Sequence, residues 1–438
     1  MSGEPRELLH PDLALPLVLD RLPEPEVERR PIGDSLGRAL AEDLCALVDQ
    51  PPFDKSAMDG FAYRAGDEGP YRVIGTLAAG AVGIAAAGAD GAPSPASGAR
   101  PLGRNECIRI MTGAPIPRGA DRVQRFEWTE ELPPGTDPGR EGTGARGMTS
   151  GRDAGVFVRF TRREERSNII GRGENQKAGD LLLSRRFLGP QDIGILASSG
   201  YAEVPLARQP RVGVISTGDE LARAGTTLAP GSIYDSNGPQ LTAQAAAAGC
   251  AAHFYGIFRD EPGLLESTVA RALGECDLVI VSGGVSMGDF DHVPRAFASA
   301  GMETVFHGLA IKPGKPIYFG RRGGTSGFGL PGNPVSTFVG FELFVRPQLE
   351  RRMGIVRTPR LLRVRLASAL KRRECDRVEF LPARLETAAD GSMEARALGY
   401  RGSSMLSILA DADCLLRMEI GETEIEEGRL VDARFLRA

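Results

Sequence analysis

The chain has little of several features that mark particular protein classes. No stretch approaches the roughly 18 consecutive apolar residues that a transmembrane helix needs, and the polar, acidic segment Met1–Glu7 argues against a secretory signal. Its six cysteines and four histidines are scattered, and no pair has a zinc or redox spacing. Transition-metal binding by the protein alone is therefore not expected, whereas a hard cation held by carboxylates remains open.

The overall composition is that of a globular protein with several domains. A net charge of −4 argues against nucleic acid as a partner, and 42% hydrophobic with 25% charged residues is typical of globular chains. At 438 residues the chain is too long for one ordinary core, so about two to four domains are expected. The scattered cysteines favour small buried residues in a reducing cytoplasm.

Residues 7–47 predict a helical region, and a β-rich domain follows. His10–Asp12 can begin a helix, and Ser35–Asp43 predicts a second one. From Pro51 to about Asn175, short apolar runs are divided by glycine and proline, which is typical of strands. Within that region Ala78–Ala99 and Pro133–Gly155 predict long surface loops.

The second half alternates strands and helices. The strand candidates are Val212–Ile215, His253–Phe258 and Leu278–Val281, and the helix candidates are Gln240–Ala248, Gly263–Leu273 and Pro294–Ala300. This rhythm predicts a doubly wound α/β domain whose parallel sheet is covered on both faces. Alternating strands such as Leu362–Leu366 and Phe380–Leu385 predict a small β domain at the end.

Glycine and acidic residues follow the most apolar strand, Leu278–Val281. The turn Ser282–Gly284 can present backbone N–H groups to an anion, and Asp289 and Asp291 come soon after it. An anion cradle beside carboxylates indicates phosphate or oxyanion chemistry with a divalent cation between the charges.

Similar loops should gather at one edge of the α/β sheet, because ligands bind beyond the carboxyl ends of its strands. The candidate loops are Ser216–Glu220, Arg259–Pro262, Ser282–Ser286, Ile311–Pro316 and Gly329–Ser336, the last leading into a helix near Thr337. Each has a simpler alternative: Asp219 or Ser336 as a helix cap, Asp260 as a turn residue, Lys312 and Lys315 as surface charges. Together they favour a phosphorylated or nucleotidyl substrate, a cation and a lysine-bound oxyanion.

Two segments of the β-rich domain predict further polar loops. Pro51–Ala62 makes a poor core segment and predicts a loop that presents Asp54, Ser56 and Asp59, and Thr112 begins a hydroxyl–glycine turn after a strand. Ordinary tight turns remain the alternative for both.

Seven segments, in this order, resemble the molybdenum insertases of molybdenum cofactor synthesis, a family that includes the E domain of gephyrin. They are PPFDKSAMDGFA (51–62), IRIMTGAPIP (108–117), ISTGDEL (215–221), IYDSN (233–237), SGGVSMGDFD (282–291), IKPGKP (311–316) and GLPGNPVS (329–336). The resemblance implies four domains: an elongated helical domain from 1–50 and 176–207, a β-rich domain 51–175, an α/β molybdopterin-binding domain 208–355, and a β-barrel-like domain 356–438. It also implies a homodimer whose cleft joins the α/β domain of one subunit to the 51–175 domain of the other.

The implied reaction joins molybdate to adenylylated molybdopterin, with Mg²⁺ as divalent cation, and yields molybdenum cofactor and AMP. By matching motifs, Asp260 and Asp291 hold the metal and, with Glu220 and Asp59, carry the acidic functions. The implied substrate contacts are Thr112, Ser282, Gly283, Gly284, Ser286, Lys312, Lys315, Pro331, Asn333, Pro334, Ser336, Arg377 and Ser403. A molybdopterin adenylyltransferase and molybdoenzyme apoproteins are the implied further partners.

The chain departs from the family pattern at a few positions. Asn175 replaces a usual aspartate, Gly308 a common lysine, and Ser404 and Cys414 usual glycines; the Leu-Pro ending usual after Leu415 is also absent. The first two motivate an alternative, a paralogue specialised for tungstate or one that binds pterin with weak turnover. A scaffold protein is a rival reading, although this chain lacks the extra domain and linker of gephyrin-type scaffolds. A hydrolase on the related α/β fold is another, and it would not need the SAMDG and MTGAP segments.

Overall fold

The computed structural model describes residues 8–80, 85–86, 94–95, 100–133, 156–259, 262–285, 292–356, 361–399 and 401–436. The helices are α1 (Pro11–Leu19), α2 (Pro190–Ser198), α3 (Asn237–Ala247), α4 (Pro262–Glu275), α5 (His292–Ser299), α6 (Pro334–Gly340) and α7 (Arg346–Arg352), with a π-helical turn at Phe341–Val345. Within this part of the chain, no helix has the length and apolar character needed to cross a membrane.

The strands are short, and we number them along the chain. The first are β1 (Val27–Pro31), β2 (Leu44–Cys45), β3 (Lys55–Ser56), β4 (Gly60–Tyr63), β5 (Tyr71–Leu77), β6 (Ala85–Ala86), β7 (Ser94–Pro95), β8 (Glu106–Ile110), β9 (Arg122–Arg125), β10 (Thr129–Glu131), β11 (Phe157–Phe160), β12 (Ile169–Ile170), β13 (Leu181–Leu183) and β14 (Glu203–Ala207). Then come β15 (Arg211–Thr217), β16 (Leu221–Ala222), β17 (Ile233–Tyr234), β18 (Ala251–Phe258), β19 (Leu278–Ser282), β20 (Glu303–His307), β21 (Ile311–Lys312), β22 (Tyr318–Arg322) and β23 (Thr325–Leu330). The last are β24 (Leu361–Leu366), β25 (Leu370–Lys371), β26 (Val378–Thr387), β27 (Met393–Ala397), β28 (Cys414–Met418), β29 (Glu424–Ile425) and β30 (Leu430–Phe435).

The chain divides into two compact units. One contains Asp43–Ser184 and Gly194–Ala202, and the other Met1–Glu42, Arg185–Ile193 and Glu203–Ala438. The first unit is the predicted β-rich region: an eight-stranded sheet in which β10, β11, β5, β8, β4 and β9 lie in that order and the β6–β7 hairpin adds to β5. The finer four-domain boundaries stay predictions.

The second unit contains the predicted α/β sheet. Its strands lie in the order β18-β15-β19-β23-β22-β20, and the first four are mutually parallel. Val214 and Ile280 pack on the face that holds α3, whereas Ile215 and Val281 pack against α4 and α5 on the other face. The sheet is therefore covered on both sides, as the alternation of strands and helices predicts.

The sheet departs from the predicted parallel arrangement at one edge. Strand β22 runs antiparallel to β23, with Arg322 opposite Thr325, and β20 runs antiparallel to β22. The two residues between β22 and β23 are glycines, and a Gly-Gly pair is a tight-hairpin signal that the strand–helix rhythm overlooks.

The carboxyl-terminal strands form a closed barrel. Strands β26, β27, β24, β30 and β28 are paired in that order, and β28 pairs back to β26. Its interior is apolar, with Leu366, Ala383 and Leu416 fully buried. The predicted β-barrel-like ending is confirmed.

The predicted helical character of residues 7–47 is correct for α1 and wrong beyond it, because β1 and β2 lie in the same segment. Helix α1 begins at Pro11, where the His10 side chain accepts a hydrogen bond from the Asp12 N–H. Ser35–Asp43 contains no helix; Ala39 and Leu40 instead make isolated bridges to Phe187 and Leu206. Pairing with distant extended segments overrides the local helical preference there.

Candidate active site

Four of the predicted loops begin at the same edge of the α/β sheet. Parallel registers pair Ser216 with Ser282, Ser282 with Leu330, and Thr217 with Phe258, so the carboxyl ends of β15, β18, β19 and β23 are level. Asp260, Ser286 and Asp291 lie outside the described residues, as do Asp289 and the loop 134–155. Helix α5 begins at His292, directly after Asp291.

The backbone at Gly283 packs closely between the ends of β15 and β23. Gly283 has φ +96°, and a Cβ there would lie 2.1 Å from the Thr217 carbonyl oxygen. Its N–H donates to the Leu330 carbonyl over 3.0 Å. Only glycine allows this close approach. Because the Gly283 N–H is already bonded to Leu330, Gly283 does not offer that group to an anion, and the anion cradle stays a prediction.

A buried amide ties two of the loops together. Asn237, the first residue of α3, donates from Nδ2 to Ser282 Oγ over 2.8 Å and to the Gly332 carbonyl over 2.7 Å. Ser282 Oγ in turn donates to the Pro331 carbonyl over 3.3 Å. Ser282 is only 1% exposed, so its hydroxyl supports the neighbouring turn from the interior.

The loop Pro331–Asn333 leads into α6 and meets a segment of the barrel domain. The helix begins at Pro334, three residues before the predicted start, because proline suits the first helical turn. Thr337 Oγ1 donates to the carbonyls of Pro331 and Asn333, which fixes the turn. The Val335 N–H donates to the Ser403 carbonyl over 3.0 Å, so Ser403 lies against the helix that carries buried Ser336.

Three predicted oxyanion-binding cations lie near acidic partners. Lys312 Nζ is 3.2 Å from Glu379 Oε1, and Arg377 lies 3.3 Å from carboxylate oxygens of both Glu374 and Asp376. The hydrogen bond from Arg377, with the charge of exposed Lys315 adding to it, lowers the pKa of Asp376. Glu374 and Asp376 are about 70% exposed. Their pairs with Arg377 are therefore weak, and an oxyanion can replace them.

The β-rich unit brings Asp59 and Thr112 into direct contact. Asp59 Oδ1 accepts from the Thr112 N–H and from Thr112 Oγ1, both over 2.7 Å, and both residues are exposed. The backbone hydrogen bond and then the hydroxyl bond lower the pKa of Asp59, which favours the ionised carboxylate. Ser56 is buried and donates to the Met58 carbonyl over 2.6 Å. The prediction that this loop presents Ser56 is therefore wrong.

The structure also locates Glu220 and two departures from the family pattern, Asn175 and Gly308. Glu220 is exposed in the loop after β15, and its carbonyl accepts from the Ile233 N–H over 2.8 Å. Asn175 is exposed, and its N–H donates to the Gln50 carbonyl. Gly308 has φ +103°, where a residue with a Cβ is strained.

Two residues that contact predicted site residues, Asn237 beside Ser282 and Glu379 beside Lys312, were missed by sequence reasoning. Asn237 ends the IYDSN segment, whose position at a helix start was a usable signal, and Glu379 lies two residues after Arg377. An alternating strand gives no sign that Glu379 points inward, and the structure places it 4% exposed. Among described residues, no group of three His, Cys, Asp or Glu side chains is placed to hold a metal ion.

Comparisons with protein families cover nearly the whole chain. The MoeA N-terminal region (domain I and II) matches residues 9–200, a probable molybdopterin binding domain matches 213–351, and the MoeA C-terminal region (domain IV) matches 363–436. These models have the same order along the chain as the motifs described above.

Individual relatives agree with the family models. The molybdopterin molybdenumtransferase of Bacillus subtilis strain 168 is 34% identical over 426 residues, covering 94% of this chain and 90% of that protein. Its counterpart from Staphylococcus aureus strain N315 is 33% identical over 408 residues, covering 91% and 88%. The crystal structure of a molybdopterin biosynthesis MoeA protein from Pyrococcus horikoshii covers 99% of this chain and 100% of its own, with 29% identity and a TM-score of 0.78.

Proposed function

The chain belongs to the molybdopterin molybdenumtransferase family, and we propose that it inserts molybdenum from molybdate into adenylylated molybdopterin with release of AMP. The observation that carries the proposal is identity of 33–34% over more than nine tenths of the chain. The convergence of the loops after β15, β18, β19 and β23 at one edge supports it independently, because one substrate can contact all of them there.

The glycine turns suit the phosphates of the adenylylated substrate. Gly283 and Gly284 both have positive φ, and without a Cβ at these positions a phosphate can approach the backbone closely. The Asn237 hydrogen bonds hold the Gly332 turn beside them, so these turns are fixed before substrate arrives.

The cations nearby suit molybdate. Lys312, Lys315 and Arg377 are carried by the loop after β20 and by the start of the barrel, and these segments are joined where β21 pairs with β26. A tetrahedral dianion accepts several charge-assisted hydrogen bonds from ammonium and guanidinium groups. We therefore assign these three residues to molybdate, with Ser286, Ser336 and Ser403 as further contacts.

We also propose that Mg²⁺ assists the reaction through Asp260 and Asp291. In sequence, Asp260 follows β18, and Asp291 ends the segment between β19 and α5; the carboxyl ends of β18 and β19 are level. Carboxylate oxygens are the donors that Mg²⁺ prefers, and the bound ion would neutralise charge on the phosphate groups. Glu220 and Asp59 complete the proposed acidic set.

We further propose a cytoplasmic homodimer in which the Asp59–Thr112 pair completes the site. Both side chains are exposed, and one is a carboxylate and the other a hydroxyl, which suits contact with a polar substrate. All six cysteines are free thiols, and burial raises the pKa of both Cys250 and Cys414 to about 12. Such inert buried thiols suit a reducing compartment. A molybdopterin adenylyltransferase would then supply the substrate, and molybdoenzyme apoproteins would take the product.

Reconstitution of a molybdoenzyme tests the proposed function. Purified protein is supplied with adenylylated molybdopterin, Mg²⁺ and either molybdate or tungstate, and the activity recovered by an apo-molybdoenzyme is measured. We expect molybdate-dependent recovery that falls by at least about a hundredfold in Asp291→Asn, because a charge that balances the phosphates is lost. Recovery that is equal without molybdate, or unchanged in the variant, would contradict the proposal.

A further inference from the structure

Strand β21 begins the lysine loop, Ile311–Pro316, and joins it to the barrel. Its two residues pair in parallel with β26, so that Ile311 lies opposite Val378 and Lys312 opposite Glu379. The Val378 N–H also donates to the Ala310 carbonyl over 2.9 Å. The position of the Lys312 backbone is therefore set by the barrel strand that carries Glu379.

The Glu379 carboxylate lies between two cations. Its Oε1 is 3.2 Å from Lys312 Nζ, its Oε2 is 3.5 Å from Arg372 Nη1, and its side chain is only 5% exposed. Arg372 is equally buried, at 6%, and donates to the carbonyls of Arg377, Glu419 and Glu422. Arg372 can therefore neutralise the Glu379 charge from the interior without help from Lys312.

Lys312 differs from Arg372 because its side chain is 38% exposed. An ammonium has three N–H donors, and its 3.2 Å ion pair with Glu379 does not use all of them. The remaining donors are available to an anion at the rim. Arg372 already neutralises Glu379, and Glu379 also contacts a lysine that is partly exposed. The Lys312–Glu379 pair is therefore not needed only to neutralise a buried charge.

We propose that Glu379 is a positioning residue that orients the Lys312 ammonium toward molybdate. This inference rests on the proposed function and adds a residue that the motifs do not include. A lysine side chain loses much rotamer freedom when it is fixed. Because Glu379 fixes the Lys312 side chain before molybdate binds, the entropy of ordering that side chain is not lost in the binding step.

Replacing Glu379 by glutamine separates positioning from simple charge. If Glu379 only weakened the positive potential, its neutralisation would strengthen attraction of a dianion and lower the KM for molybdate. If it positions Lys312, the weaker hold of a neutral amide raises that KM. The two roles thus predict changes of opposite sign.

The experiment measures steady-state KM and kcat for molybdate, and molybdate binding by calorimetry, in the full-length protein. We expect Glu379→Gln to raise the molybdate KM and dissociation constant by about tenfold while kcat changes less than about twofold, since the contact acts through binding. Affinity for adenylylated molybdopterin, followed by pterin fluorescence, should stay unchanged. A lower KM, or an equal loss of pterin affinity, would overturn the proposal.

A double-mutant cycle shows whether Glu379 acts through Lys312. The double variant Lys312→Met, Glu379→Gln should bind molybdate no more weakly than Lys312→Met alone; additive losses would overturn the proposal. Glu386→Gln is the matched control, because Glu386 lies on the same strand and pairs with Arg396 over 2.9 Å at the surface. We expect that control to bind molybdate like the wild type.

Folding of the variants is checked by thermal unfolding. Loss of the Glu379 charge leaves Arg372 buried without its carboxylate, which can destabilise the barrel. If Glu379→Gln does not fold, Arg372→Gln with Glu379→Gln removes both buried charges, and the same loss of molybdate affinity is expected. Calorimetric binding also separates the two claims, because a wild type that binds molybdate without releasing AMP contradicts the proposed function alone.

Discussion

At the scale of single residues, Gly308 shows how backbone conformation accounts for a departure from a family pattern. The resemblance gives a lysine as the common residue there, and its loss suggests weaker anion binding. At φ +103° the backbone instead favours glycine, and the Gly308 N–H donates to the Ile317 carbonyl over 2.9 Å. A one-residue conformation of this kind cannot be read from a motif, because the same letters fit several turns.

Restoring the common residue should therefore cost stability. We expect Gly308→Lys to lower the free energy of unfolding by about 1–3 kcal/mol, since a side chain strains this backbone region. Asn175→Asp is the control: Asn175 is exposed, so the change should stay within about 0.5 kcal/mol. Urea unfolding measures both, and a Gly308→Lys protein as stable as the wild type would refute the backbone explanation.

At the scale of elements, the positions of the candidate loops could be predicted, whereas the contacts that support them could not. Apolar runs followed by glycine and acid locate the ends of β15, β18 and β19, because parallel strands place their loops at one edge. The Asn237 hydrogen bonds need α3 to begin beside the end of β19, which depends on the long-range packing of α3 on β15 and β18. The β22–β23 hairpin was missed because the alternation of strands and helices outweighed a short glycine turn.

Removing the Asn237 hydrogen bonds should loosen the glycine turns that we propose bind phosphate. Asn237→Ala loses the hydrogen bonds to Ser282 and Gly332, so we expect adenylylated molybdopterin to bind about tenfold or more weakly. Molybdate affinity should change much less, because Lys312 and Arg377 are held by other contacts. Pterin fluorescence titration reads the first quantity and calorimetry the second.

Thr242→Val provides the comparison for Asn237→Ala. Thr242 is on the same helix, and its hydroxyl donates to the Gly238 carbonyl over 2.8 Å, away from the glycine turns. We expect it to keep wild-type pterin affinity. Equal losses in the two variants would mean that general damage to α3, and not loss of the Asn237 hydrogen bonds, explains the effect.

At the scale of the whole molecule, the organisation follows from sequence patterns more closely than the site does. Composition, the strand–helix rhythm and the alternating carboxyl-terminal strands predict a multidomain α/β protein with a β-rich region and a terminal barrel, and the structure has these parts. The helical reading of Ser35–Asp43 failed because its partners, Phe187 and Leu206, are distant along the chain. Within the second unit, β21 links the lysine loop to the barrel, a pairing that no local pattern indicates.

The central claim is that this chain couples molybdenum insertion to loss of the adenylyl group. The most direct test is a single-turnover reaction with adenylylated molybdopterin and Mg²⁺, in which released AMP and pterin-bound molybdenum are quantified with and without molybdate. We predict equal amounts of AMP and bound molybdenum when molybdate is present, and little AMP when it is absent. AMP released at the same rate without molybdate, or molybdenum bound with the adenylyl group still attached, would contradict the account.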